Sequence, residues 1–153
     1  MNLADEIILA RDYAKRAHEG QFRRDGKTPY FTHPEAVAQA VPDRQKPIAY
    51  LHDVLEDTKT STVDLIRAGF SEYVIGAVIA LTRSPSVHWA PETYDEYMRK
   101  VLQNPDAVIV KMADMQHNLS SNPSENSKAK IARWLPVLRA SLVGKFQTQL
   151  PAS

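Results

Sequence analysis

The residues best suited to carry out chemistry lie in one short stretch of the chain, from His52 to Asp57. The stretch contains one imidazole and three carboxylates, those of Asp53, Glu56 and Asp57, and the hydroxyl of Thr58 follows directly. Apolar residues flank these polar groups on both sides. Because imidazoles and carboxylates bind divalent metal ions and transfer protons, the stretch indicates one half of a metal site.

Two residues elsewhere in the chain can supply the other half of this metal site. His33 lies at a predicted helix start, and Asp114 is a lone carboxylate in an apolar stretch. A buried aspartate is costly unless it is paired or bound to a metal. Together with His52 and Asp53, these residues form a set of two histidines and two carboxylates. Such a set suits a hexacoordinate Mn²⁺ or Fe²⁺, or Zn²⁺, with positions left for water and substrate.

The residue types alone also allow a purely structural interpretation of the same positions. In that interpretation Lys111 is the ion-pair partner of Asp114, and His52 is a hydrogen-bonded imidazole in the core. Asp53 and Asp57 are then ordinary solvated carboxylates. A His-Asp pair is a weak pattern by itself, so the choice between the two interpretations depends on the rest of the chain.

Hydrophobic periodicity predicts that these residues are positioned by an all-α fold. Apolar residues recur at three- and four-residue steps, and no strand-like alternation occurs. We expect one domain over residues 1–153 with roughly eight helices. The predicted helices cover residues 3–18, 35–41, 47–56, 61–66, 72–82, 93–102, 105–119 and 125–147, the last with a break at Pro136.

Composition excludes several functional classes. The 153 residues carry 19 Lys and Arg against 18 Asp and Glu, which argues against a general nucleic-acid or membrane binder. There is no Cys, so any metal must be held by histidines and carboxylates. Neither a long apolar run nor a signal-peptide pattern is present, and we expect a cytoplasmic protein.

A predicted loop over residues 21–30 carries three cations close together. Arg23, Arg24 and Lys27 surround a tight turn at Asp25-Gly26. The loop is either a solvated basic surface or a clamp for an anion or nucleotide, since a guanidinium pairs with phosphate and stacks on a base.

Three motifs, taken in order, resemble the HD-domain hydrolases of the RelA/SpoT type, which degrade the alarmones ppGpp and pppGpp. The resemblance runs from about Ala10 to Leu142 and matches the hydrolase domain alone. It implies an HD-domain helical bundle and a small stand-alone hydrolase, similar to the metazoan form. The motifs are TPYFTHP at 28–34, HDVLEDT at 52–58 and KMADMQHNL at 111–119.

The resemblance assigns roles to individual residues of the predicted metal site. It implies Mn²⁺ as the metal, although another divalent ion is compatible with the same donors. Glu56 and Asp57 match the acidic pair that positions and activates the attacking water. The residues that match the metal ligands are His33, His52, Asp53 and Asp114.

The resemblance also implies a set of nucleotide contacts. Arg23 and Arg24 match the basic pair that contacts the nucleotide, and Lys27 would help to offset phosphate charge. Asn118 matches a contact to the sugar, and Ser121 a hydroxyl near the phosphate. The loop from Arg83 to Pro91 departs from the family pattern in being longer and more apolar, and we expect it to influence substrate selectivity.

The expected reaction is hydrolysis of the 3′-pyrophosphate of ppGpp or pppGpp to GDP or GTP and pyrophosphate. Two alternatives stay open: a related hydrolase acting on an adenine alarmone or on NADPH, and a non-catalytic nucleotide sensor. The presence of Glu56 and Asp57 argues against a sensor, which needs no water-activating pair. The expected partner is a small-molecule nucleotide, with no nucleic acid and no membrane, and a homodimer stays open.

Overall fold

Helices form nearly all of the regular secondary structure in the computed structural model, which describes residues 1–83 and 92–149. Within these ranges there are nine α-helices, one short 3₁₀ helix at Asp43–Gln45 and no strand, so the all-α prediction is confirmed. The predicted 83–91 loop lies, beyond Arg83, outside the described residues. The α-helices are α1 Leu3–Ala17, α2 Thr32–Gln39, α3 Lys46–Leu51, α4 Val54–Asp57, α5 Thr62–Ala68, α6 Glu72–Ala80, α7 Tyr94–Leu102, α8 Pro105–Ser120 and α9 Glu125–Gln149.

Several helices begin at residues whose side chains satisfy free main-chain N–H groups. Asn2 caps α1, and reciprocal capping boxes join Ser61 with Asp64 at α5 and Thr93 with Glu96 at α7. These helix starts follow from local sequence. At α6 the main-chain N–H of Ser71 instead donates to a side chain of another helix.

Glu6 on α1 supplies that distant cap. Its carboxylate is 3% exposed and accepts hydrogen bonds from the main-chain N–H of Ser71, at 2.8 Å, and from the hydroxyl of Ser71. A carboxylate is stabilised at a helix N-terminus by the free N–H groups and the helix dipole. This contact joins α1 to the start of α6.

Helix α3 lies at the centre of the bundle and packs against α1, α2, α6 and α8. Every residue from Pro47 to Leu51 is buried. His52 therefore follows directly after a run of five buried residues. No helix among the described residues has the length and apolar character needed to cross a membrane.

The predicted helix over residues 47–56 is divided in two at His52 and Asp53. The imidazole Nδ1 of His52 hydrogen-bonds the carbonyl oxygen of Ala49 at 2.6 Å, an acceptor that a continuous helix would use for the N–H of residue 53. Asp53 takes φ −106° and ψ −4°, and α4 begins after it. The prediction of one continuous helix was wrong because a side chain replaces a main-chain donor.

The predicted break at Pro136 does not occur, and α9 continues through this residue. A proline inside a helix removes one hydrogen bond and costs about 3 kcal/mol. Trp134, Leu135 and Leu138 are buried beside it. We attribute the continuity of α9 to the packing of these side chains, which offsets the local cost.

Candidate metal centre

The four predicted metal ligands converge on one point from three segments of the chain. The Nε2 atom of His33, in the first turn of α2, lies 2.8 Å from Asp114 Oδ1 and 3.9 Å from Asp53 Oδ2. The Nε2 atom of His52 lies 3.1 Å from Asp53 Oδ2 and 3.4 Å from Asp114 Oδ1. Both imidazoles thus direct the same nitrogen toward the same two carboxylates.

The donors of this cluster fit a divalent metal ion. Because Nδ1 of His52 faces a carbonyl oxygen, that nitrogen carries a proton, and Nε2 is the ring nitrogen available to the cluster. This Nε2 atom is buried and lacks a hydrogen-bond partner, yet it faces two carboxylates. Burial lowers the pKa of His52, but Asp53 and Asp114 outweigh burial and raise this pKa well above its ordinary value. Nε2 can therefore face these oxygens as the N–H group of an imidazolium or as the lone-pair donor to a bound cation.

The spacing of the donor atoms supports the same conclusion. Donors that share one ion at about 2.1 Å lie roughly 3 Å apart when adjacent. One ligand atom from each of His33, His52 and Asp114 falls within 4.8 Å of the others. Asp53 lies at the edge of this group, and its Oδ2 atom also accepts a 2.6 Å hydrogen bond from the hydroxyl of Tyr30.

The electrostatics of the cluster keep both aspartates ionised. Burial favours neutral Asp114, but Lys111 and the two histidines outweigh burial and hold the pKa of Asp114 well below its ordinary value. Burial likewise opposes ionisation of Asp53, but His52 dominates and lowers the pKa of Asp53 to about 2. The site therefore presents two negative charges to a cation at neutral pH.

The two carboxylate oxygens of Asp114 have different partners. Its Oδ2 atom accepts a 3.1 Å hydrogen bond from Lys111, which is one turn earlier on α8, whereas its Oδ1 atom faces His33 and His52. The side chain of Lys111 is only 14% exposed. The structural pairing of Lys111 with Asp114 and a metal site at Asp114 are therefore compatible.

The two candidate catalytic carboxylates follow the metal cluster on α4. Burial, reinforced by the charges of Asp53 and Glu56, raises the pKa of Asp57 to about 6. Gln21 holds the main chain here by donating to the carbonyl oxygen of Asp57 at 2.8 Å. Glu56 Oε1 accepts a 2.7 Å hydrogen bond from the main-chain N–H of Arg83. Asp57 can therefore exchange a proton near neutral pH.

Four of the five predicted nucleotide-contact residues line two cavities that share a wall. Arg23, Arg24 and Ser121 line both cavities, of about 250 and 380 Å³, and Asn118 lines the smaller one. Asn118 also donates to Asp114 Oδ1 at 3.3 Å, which connects the cavity wall to the metal cluster. Lys27 lines neither cavity among the described residues.

Two residues outside the predicted ligand and nucleotide-contact sets contact the metal cluster directly. Tyr30 donates to Asp53, and burial together with the charge of Asp53 raises the pKa of its hydroxyl. His117 contacts His33, with their Nδ1 atoms 2.7 Å apart. Both residues lie inside the motifs at 28–34 and 111–119, so the motifs could have identified them.

Fold and site together define an all-α protein with a His-Asp cluster suited to a divalent metal ion. The chain belongs to the HD-domain family, whose model matches residues 10–142.

Curated relatives of the chain include proteins of nucleotide metabolism in bacteria. It is 32% identical to a guanosine-3′,5′-bis(diphosphate) 3′-pyrophosphohydrolase of Aquifex aeolicus, over 77% of this chain and 18% of that protein. It is 31% identical to the bifunctional (p)ppGpp synthase/hydrolase SpoT of Escherichia coli, over 86% of this chain and 20% of that protein. The chain thus spans a fifth or less of the length of these two relatives.

A solved structure of a metazoan protein has a similar fold, with a TM-score of 0.67. That protein is described as a metazoan ortholog of SpoT that hydrolyzes ppGpp and plays a role in starvation responses. The match covers 90% of this chain and 85% of that chain, at 24% sequence identity. At this identity the similarity supports the helical fold.

Proposed function

We propose that this protein hydrolyses the 3′-pyrophosphate of ppGpp and pppGpp in a divalent-metal-dependent reaction that yields GDP or GTP and pyrophosphate. The observation that carries the proposal is the convergence of His33, His52, Asp53 and Asp114, followed directly on α4 by the acidic pair Glu56 and Asp57. The relative named as a 3′-pyrophosphohydrolase supports the choice of reaction.

We propose Mn²⁺ as the metal, held by His33, His52, Asp53 and Asp114. A site with two nitrogen donors, two carboxylates and no sulfur favours a metal of intermediate hardness. When bound, the ion supplies a Lewis acid that polarises oxygen atoms of water and phosphate.

Asp57 is the proposed proton acceptor for the attacking water. Its pKa of about 6 leaves it mainly ionised at neutral pH while it remains basic enough to accept a proton. The carboxylate of Glu56, held by the N–H of Arg83, contributes the negative charge that helps to raise this pKa. The water attacks the phosphorus attached to the 3′-oxygen. The bond between this phosphorus and the 3′-oxygen then breaks. The proton held by Asp57 then passes to the 3′-oxygen of the product.

The cavities beside the metal cluster provide the proposed nucleotide contacts. Arg23 and Arg24 pair with phosphate oxygens, for which a guanidinium offers two parallel donors. Asn118, which lies between the cavity and Asp114, is placed to contact the sugar. Ser121 lines both cavities. Its hydroxyl donates to the carbonyl oxygen of His117 at 2.9 Å, so it would receive, rather than donate, a hydrogen bond from the nucleotide.

The test is pyrophosphate release from ppGpp by the purified protein in the presence of Mn²⁺. The matched variants are Asp53→Asn, in the metal cluster, and Asp43→Asn, whose carboxylate is 76% exposed. We expect release by the wild type and by Asp43→Asn, and none by Asp53→Asn. Failure of the wild type to release pyrophosphate would refute the proposal. An adenine alarmone in the same assay determines the base preference, and NADPH in an assay for released orthophosphate tests the alternative substrate.

A further inference from the structure

His117 makes a contact that distinguishes His33 from the other histidine of the metal cluster. Its side chain is partly exposed on α8, one turn after Asp114. The Nδ1 atoms of His117 and His33 are 2.7 Å apart, while the ring centroids are 4.9 Å apart. The two rings therefore meet nitrogen to nitrogen at their edges, which is the geometry of a hydrogen bond.

The direction of this hydrogen bond follows from the position of the carboxylates. The Nε2 atom of His33 faces Asp114 and Asp53, so it holds the lone pair when a cation is bound there. A neutral imidazole has one N–H group, which His33 must then carry on Nδ1. The Nδ1 atom of His117 is consequently the acceptor, and His117 carries its own proton on Nε2.

The Nε2–H group of His117 lies across the ring from the nitrogen that contacts His33. Within residues 1–83 and 92–149, no protein atom hydrogen-bonds this nitrogen. His117 lines the cavity of about 380 Å³ together with Arg23, Arg24 and Ser121. The ring thus has an acceptor toward His33 and a donor without a protein partner, in a residue that lines the same cavity as Arg23 and Arg24.

We propose that His117 is a positioning residue that holds His33 for metal binding and donates a hydrogen bond from Nε2 to a phosphate oxygen of the nucleotide. His52 needs no such residue, since a main-chain carbonyl holds it. The nucleotide contact rests on the proposed function, whereas the positioning of His33 requires only that the cluster bind a divalent ion.

Three variants test the positioning of His33. His117→Ala removes both hydrogen bonds, His117→Gln keeps an amide acceptor and an amide donor, and Gln116→Ala changes an exposed neighbour on the same helix. Mn²⁺ affinity is measured without nucleotide, from the electron paramagnetic resonance signal of the free ion.

Loss of an outer hydrogen bond to a ligating histidine weakens metal affinity about 10- to 100-fold. We expect this loss in His117→Ala, with recovery to within a few-fold of the wild type in His117→Gln and no change in Gln116→Ala. Wild-type Mn²⁺ affinity in His117→Ala would overturn the positioning role. Circular dichroism verifies folding, and if His117→Ala is unfolded, a tenfold loss in folded His117→Gln also overturns the role.

Calorimetric binding of ppGpp at saturating Mn²⁺ tests the donor role, in proteins that also carry Asp57→Asn to prevent turnover. We expect the dissociation constant to rise about tenfold or more in His117→Ala, as for loss of a hydrogen bond to a charged group, and to recover in His117→Gln. An unchanged constant refutes the nucleotide contact. Absence of ppGpp turnover by the wild type refutes the proposed function, while the Mn²⁺ measurement still decides the positioning of His33.

Discussion

Replacing Asp114 with asparagine would remove a charge that Lys111 contacts on one side and the two histidines of the cluster contact on the other. Lys111 and Asp114 have side chains that are 14% and 9% exposed, and their charged atoms are 3.1 Å apart. Removing one member of a buried ion pair leaves the other charge without compensation and costs about 3–5 kcal/mol. For a protein of this length, such a loss lowers the melting temperature by roughly 6–20 °C.

The assay is urea unfolding in the presence of EDTA, so that metal binding does not contribute. A second variant combines Asp114→Asn with Lys111→Met, which removes the stranded charge and keeps a side chain of similar length. We expect the double variant to regain most of the lost free energy of unfolding. Neither variant should bind Mn²⁺ as the wild type does, because Oδ1 of Asp114 faces both histidines.

Two results would refute this reasoning. Asp114→Asn could unfold within about 1 kcal/mol of the wild type, in which case the pair is not effectively buried. Alternatively, Lys111→Met could fail to restore stability in the double variant, in which case the loss does not arise from an uncompensated lysine. A double-mutant cycle, completed by the single variant Lys111→Met, separates these outcomes because it isolates the coupling between the two residues.

Three further predictions concern metal binding, the proposed general base Asp57 and nucleotide binding. Mn²⁺ at 100 times its dissociation constant should stabilise the wild type by about 2.7 kcal/mol in thermal unfolding, and His52→Ala should lose this gain. If Asp57 is the general base, as we propose, kcat/KM should fall about tenfold per pH unit below its pKa of about 6. Glu56→Gln should move this decline to lower pH, and an unmoved profile would contradict the role of Glu56. Arg23→Ala should raise KM about tenfold or more with little change in kcat, whereas Arg67→Ala, on the exposed side of α5, should change neither.

The convergence of the four candidate metal ligands could be predicted because it depends on residue types at fixed motif positions. His33, His52, Asp53 and Asp114 were identified from the sequence, and the structure brings their side chains together. A lone carboxylate in an apolar stretch, such as Asp114, is a particularly informative pattern, since burial without a partner is unfavourable.

The local geometry at the centre of the site could not be predicted from helical periodicity. In a continuous helix His52 and Asp53 point about 100° apart. The hydrogen bond from the His52 ring to Ala49 ends α3 early, and both side chains then face the same cluster. Periodicity describes main-chain hydrogen bonds and contains no information on a side chain that replaces one of them.

Contacts between distant parts of the chain were also beyond prediction. His33 and His117 are 84 positions apart, and Glu6 and Ser71 are 65 apart. Lys27 lines neither of the two cavities, and its contact with the nucleotide stays a prediction. The main-chain N–H of Lys27 instead donates to Asp25 at 2.8 Å within the turn.

The most direct test of metal-dependent hydrolysis at this cluster is the rate of pyrophosphate release from ppGpp during a Mn²⁺ titration of EDTA-treated protein. We predict no release without metal, saturable release as Mn²⁺ is added to the wild type, and no release by Asp53→Asn at any Mn²⁺ concentration. Equal release with and without metal, or wild-type release by Asp53→Asn, would contradict the assignment.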